Sequence, residues 1–341
     1  MHLPLRKIPR CNYTRCIDIG NSYMQHFLLS AAARSISLKA VFKMGEDKAY
    51  ETFCQLRWPE TEGEAVCPKC GCVETYNITS RRRFKCVGCY HQFSVTSGTI
   101  FASRKLSFTD LLAAIVIFVN GAKGVSALQV SRDLDVQYKT AFVLSHKLRE
   151  AMALEQMGEK LGGTVEVDGA YFGGYVKPAN EKENRRDRRK LANQSGKRQS
   201  VVVIRERDGD SRTFVGKSEA AGVAHVRAHV AADAVLHADE AGHWDVLHGE
   251  YEAKRINHSE SYSDGVACTN QAESFFSRLR RMEIGTHHHI AGPYLAAYAS
   301  EASWREDNRR VTNGDQAAMV AGAALAAPQS RTWGGYWQRG A

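Results

Sequence analysis

The sequence has no apolar run long enough to cross a bilayer: the longest, residues 111–119 (LLAAIVIFV), covers nine positions where a membrane helix needs about twenty. Residues 27–33 (FLLSAAA) hint at the end of a secretory leader, but Gln25 and His26 interrupt the approach to them and no charged-then-apolar order precedes, so no leader is expected. The chain also lacks an even number of cysteines. Nine of them without a leader argue against a disulfide scaffold and for a reducing compartment, so a cytoplasmic location is expected. The first forty residues carry no periodicity and no motif; they read as a poorly ordered extension ahead of Met44.

What remains is an ordinary globular composition with a basic excess. The 341 residues are 43% hydrophobic, enough for a full core and two or three domains, and 46 Lys and Arg against 37 Asp and Glu leave a net charge of +9. That balance suits a polyanion. Residues 181–198 (EKENRRDRRKLANQSGKR) hold +5 of it and include Arg185, Arg186, Arg188 and Arg189. A solvated loop and a nucleic-acid contact explain such a run equally well, and the two are compatible.

Cys67, Cys70, Cys86 and Cys89 form a C-x2-C-x15-C-x2-C frame. Two facing knuckles of this spacing bring four thiolates to one point, the tetrahedral set that Zn²⁺ takes. Gly71 and Gly88 supply turn freedom in the knuckles. The strands between them carry Arg81, Arg82, Arg83 and Lys85, a basic edge that suits nucleic acid, although ribbons that only scaffold a partner are nearly as common. A short helix from Asp47 ending at Trp58-Pro59 precedes the ribbon. Residues 107–152 have helical periodicity, broken at Gly121 and Gly124, and residues 126–149 read as two helices around a tight turn. In a helix-turn-helix the second helix would expose Tyr138, Lys139, Ser145, His146 and Arg149 to DNA; a purely structural hairpin has the same periodicity.

Past residue 163 the texture changes to strands at 164–168, 200–205, 212–217, 235–239 and 253–258, with helices at 221–232 and 269–282. A mixed α/β sheet layered with helices follows. Asp168 and Asp239 each end an apolar strand, where α/β sheets place their sites. Two such carboxylates side by side repel, and a divalent cation is the usual reason for keeping them together. Glu273 shares a helix face with Asn270, Ser277 and Arg280, so it can complete a hard-oxygen site for Mg²⁺ while Arg280 holds a phosphate. A structural role is the leading reading of His258, and an exposed turn that of the tract at His287, His288 and His289.

Over residues 42–313 these motifs together resemble the zinc-ribbon group of bacterial insertion-sequence transposases with a DDE catalytic domain. The resemblance rests on Arg57-Trp58-Pro59 and the ribbon, residues 167–174 (VDGAYFGG), the Asp239 strand, residues 270–281 (NQAESFFSRLRR) and residues 304–310 (WREDNRR). It implies a ribonuclease H-like domain, Mg²⁺ dependence with two ions, recognition of terminal inverted repeats, and cut-and-join chemistry by a dimer or higher multimer on the nucleoid. Arg280 stands where the family commonly has lysine, and Asn270 competes with Glu273 for the third ligand position. The expected organisation is an extension (1–43), helix and zinc ribbon (44–104), helix-turn-helix-like segment (105–160), catalytic domain (161–313) and tail (314–341). A DNA-binding regulator with an idle catalytic remnant, and a nuclease without a joining step, are the alternatives.

Overall fold

A computed structural model of the chain describes residues 27–174, 179–187, 193, 196–207, 209–239, 241–256 and 269–339. Helix α1 (Leu38–Arg57) starts earlier than its periodicity suggests, because Ser37 caps it: its hydroxyl accepts the Ala40 N–H at 3.1 Å. Gly45, at φ 75°, kinks it where an ordinary side chain would be strained. The helix stops before Pro59, and Trp58 packs edge-on against Phe84 with ring centres 5.5 Å apart. Phe84 lies on β2 (Arg83–Cys86), the middle strand of the three-stranded ribbon between β1 (Thr75–Ile78) and β3 (Gln92–Phe93). Ribbon and helix thereby share one core.

Helix α2 (Phe108–Asn120) is buried along almost its whole length. It ends at Gly121, where a Cβ would stand 2.5 Å from Val125 Cγ2. Helices α3 (Ala127–Asp133) and α4 (Tyr138–Glu155) form the expected helix-turn-helix-like pair. The exposed face of α4 is shorter than its periodicity implies. Tyr138 and Lys139 face solvent, but Ser145, His146 and Arg149 are buried. The cover comes from the far end of the chain: Trp333 stacks on His146 with ring centres 4.1 Å apart. Residues 314–341, read above as a tail, instead contribute most of α8 (Asn313–Ala326), whose alanines pack into the core of α1, α2 and α4. Arg57 fastens the end of α8 by donating to the Leu325 carbonyl at 2.7 Å.

The five-stranded sheet has the order β6-β5-β4-β7-β8. Its strands are β4 (Thr164–Phe172), β5 (Gln199–Glu206), β6 (Ser211–Gly216), β7 (Val235–Asp239) and β8 (Glu252–Ile256), with the first three antiparallel and β4, β7 and β8 parallel. This is the expected ribonuclease H-like mixed sheet. Val165 and Val167 face α5 (Gly222–His229) and Trp244, while Ala170 and Phe172 face α6 (Asn270–Met282) and α7 (Leu295–Asp307).

A buried ion network joins the helical part to the sheet part. Glu301 on α7, fully buried, accepts from Arg149 Nε at 2.6 Å and from Arg305 Nε at 2.9 Å. Arg305 also caps α2 by donating to the Phe118 and Val119 carbonyls. Burial opposes the Glu301 charge, yet Arg149 and Arg305 together hold its carboxyl below the usual range. Glu301→Gln leaves two guanidiniums without their counter-charge. It is expected to cost about 3–5 kcal/mol of stability, read as a lower urea midpoint.

Candidate active site

Register decides where the two aspartates meet. β4 pairs in parallel with β7 up to Val167 opposite Ala238, so the next residues, Asp168 and Asp239, stand side by side on strands about 4.8 Å apart. Alternation puts both on the α6 face, since Val167 and Ala238 point to the α5 core. Asp168 does not end its strand, as its sequence context suggests. β4 runs four residues further, paired with β5, and only the parallel ladder with β7 stops at this level.

Helix α6 crosses the same face and carries Glu273 in its first turn. A residue that motif reading passed over holds it there. Glu166, two positions before Asp168 and therefore on the same face, is fully buried and accepts the Gln271 and Ala272 N–H groups at 2.9 and 3.1 Å. Its other oxygen meets Arg207 at 3.1 Å. A carboxylate on the free N–H groups of a helix start fixes the helix end and favours its dipole. The signal was an acid inside an otherwise apolar strand.

Burial is the main reason that the Asp168 carboxyl is pushed up to about 7; the Gly169 N–H, bonded at 2.7 Å, opposes the shift, while the charges of Asp239, Glu273 and Glu219 reinforce it. Glu219 had no sequence signal. It lies against Gly169, where a Cβ would stand 2.4 Å from Glu219 Cγ, so only glycine leaves room for it. Asp168 thus lies in electrostatic reach of three further acids, a hard-oxygen set of the kind that could hold a divalent cation. Among the described residues no three carboxylates come within 4.8 Å of one another. Arg280 is exposed in the last turn of α6, its guanidinium 5.9 Å from the Phe172 ring, on the Glu273 side of the helix.

The four cysteines converge as their spacing predicts. Their sulfurs all lie within 4.8 Å, with Cys67 to Cys89 at 3.6 Å and Cys70 to Cys86 at 3.5 Å. A tetrahedral Zn–S₄ site has edges of about 3.8 Å, so the set fits zinc. The Cys89 N–H donates to the Cys86 sulfur and helps hold that thiol down to about 6. Against the Cys72 N–H, the neighbouring sulfurs of Cys89 and Cys86 push Cys70 up to about 12, so the four thiols share their protons until a metal displaces them. Gly71 adopts the left-handed turn of the first knuckle, but Tyr90 rather than Gly88 does so in the second, at φ 59°.

The basic residues divide. Arg81 and Arg83 are exposed, and Lys85 lies over the Tyr90 ring. Arg82 turns back to Glu46 and Asp47 at 2.9 and 2.6 Å and braces the ribbon against α1. Lys139 is exposed beside Trp337, whereas Arg149 is committed to Glu301 and is unable to reach DNA. Arg185 and Arg186 are exposed; Arg188, Arg189 and His258 lie outside the described residues.

Residues 160–307 match the ISXO2-like transposase domain family, and residues 44–92 match the transposase zinc-ribbon domain family. No curated protein matches the chain significantly.

Two outcomes follow from this geometry. The purified protein is expected to carry one zinc per chain by elemental analysis, and Cys70→Ser to lose it together with ribbon order. In magnesium-free buffer the raised Asp168 pKa favours the folded state at acid pH, and that contribution is lost as pH rises through about 7. Asp168→Asn is therefore expected to stabilise the chain by about 1–2 kcal/mol at pH 8 and far less at pH 5, measured by thermal unfolding.

Proposed function

We propose, for a chain that belongs to the zinc-ribbon, DDE group of insertion-sequence transposases, that Asp168, Asp239 and Glu273 are its catalytic carboxylates and cut and join DNA strands at the element's ends. What supports this is the shared level and face of Asp168 and Asp239, with Glu273 brought over them by a helix that Glu166 anchors. Mg²⁺, when bound to these carboxylates, supplies the positive charge that offsets the charge building on phosphate oxygens. Asp168 keeps its Gly169 hydrogen bond and thereby a fixed orientation toward Asp239. Arg280 extends from the same flank of α6 to hold a non-bridging phosphate oxygen.

In the first step water opens the phosphodiester and leaves a 3′-hydroxyl on the element. In the second that hydroxyl attacks a target phosphodiester, forms the new bond and displaces the target's 3′-oxygen. Arg81, Arg83 and Lys85 on the ribbon, Lys139 at the start of α4, and Arg185 and Arg186 contact the backbone of the terminal repeats and target. A dimer or larger assembly brings two ends together.

The test is Asp168→Asn and Asp239→Asn, each assayed with Mg²⁺ on a labelled duplex carrying an element end. Each is expected to lower strand cutting and joining by about a thousandfold or more while leaving duplex affinity within a few fold. Joining that survives either change overturns the assignment. Cutting without joining in the parent protein would identify a nuclease, and binding without cutting an idle regulator.

A further inference from the structure

A cavity of about 540 Å³ opens where α2, α6, α7 and α8 meet. Among the described residues, seven Lys or Arg side chains line it against a single acid, Glu306. One of the seven, Arg305, is matched by Glu301. Glu306 is already shared among Arg205 at 3.1 Å, Arg309 at 3.2 Å and Arg278. Arg34, Lys123, Arg281 and Arg310 therefore face the cavity with no carboxylate of the lining left for them. The crowding is felt by its members. Burial first, and then neighbouring guanidiniums, lower the pKa of both Arg278 and Arg309. Arg34, Lys123, Arg281 and Arg310 are exposed to solvent, so they concentrate positive potential at the cavity and attract an anion.

The position of the cavity suggests which anion. Arg281 follows Arg280 in sequence and so lies about 100° further around α6, with Arg278 beyond it on the cavity side. A basic path thus leads from the carboxylate face around the helix into the cavity. Among the described residues no aromatic side chain lines the cavity to stack on a base, while guanidinium forks match phosphate oxygens. We propose that this cavity is a second phosphate-binding site that holds the backbone of a DNA strand leaving the catalytic carboxylates. The assignment rests on the reading of Asp168, Asp239 and Glu273 as the cutting site. It adds a sequence-independent grip, because the lining meets phosphates and not base edges.

The experiment measures duplex affinity of the full chain from about 50 to about 200 mM salt, using an element-end duplex and a random duplex. For Arg281→Gln combined with Arg310→Gln, both exposed positions, the slope of log affinity against log salt is expected to fall by about 1.8, near 0.9 per lost phosphate contact, on both duplexes. The charge-keeping pair Arg281→Lys and Arg310→Lys retains the slope, and Lys48→Gln with Lys105→Gln, away from the cavity, changes it little. An unchanged slope in the glutamine pair, or an equal fall in the distant pair, overturns the proposal. If inorganic pyrophosphate raises the melting temperature of the parent but not of the glutamine pair, while the slope stays unchanged, the cavity serves a small phosphorylated ligand instead. The slope is read without turnover. Strand cutting that survives Asp168→Asn would thus sink the catalytic reading and leave this result to stand or fall separately.

Discussion

The parallel ladder between β4 and β7 is the constraint on which the rest of the site depends. Pairing Val167 with Ala238 puts Asp168 and Asp239 at one level, and the two-residue period of a strand puts them on one face. A slip of one residue would send one carboxylate into the valine and tryptophan core on the α5 side. The same period places Glu166 directly before Asp168 on that face, where it anchors the start of α6. One strand thus supplies both a candidate ligand and the buried acid that positions another.

Charge is arranged in opposite ways at the two ends of the molecule's business. On the sheet face carboxylates crowd together, and burial together with the charges of the neighbouring acids raises the Asp168 carboxyl. Around the flank of α6 guanidiniums crowd without enough acids. Each concentration of one sign would be offset by a ligand of the other. Between them runs the buried network of Arg149, Glu301 and Arg305, in which two guanidiniums share one carboxylate and the role is mechanical. The WREDNRR segment takes part in both arrangements, with Arg305 in the network and Arg309 and Arg310 at the cavity.

The helical part owes its shape to contacts across the whole chain. α8 closes a core begun by α1 and α2, and Trp333 covers His146 on α4. Burial of His146, with the nearby Arg149 charge, pushes its pKa down to about 3, so it stays neutral beneath the indole. The start of α4 remains exposed at Tyr138 and Lys139.

Local chemistry made much of this legible without coordinates. The cysteine spacing, the strand positions, the two aspartates and the helix face of Glu273 and Arg280 all follow from covalent spacing and from periods of 2 and 3.6 residues. What spacing does not encode is which exposed-looking residues a distant segment will cover. Arg149, on the open side by periodicity, is claimed by Glu301 more than a hundred residues later, and Arg82 by Glu46 and Asp47. Glu219 reaches the carboxylates only because Gly169 leaves a gap, and the basic cavity exists only where four helices converge. The sequence by itself determined the zinc frame and the order of the acids, since these depend on near neighbours. Tertiary structure alone decided which charges are paired, which are buried and which face a ligand, because burial and ion pairing are set by contacts between residues far apart along the chain.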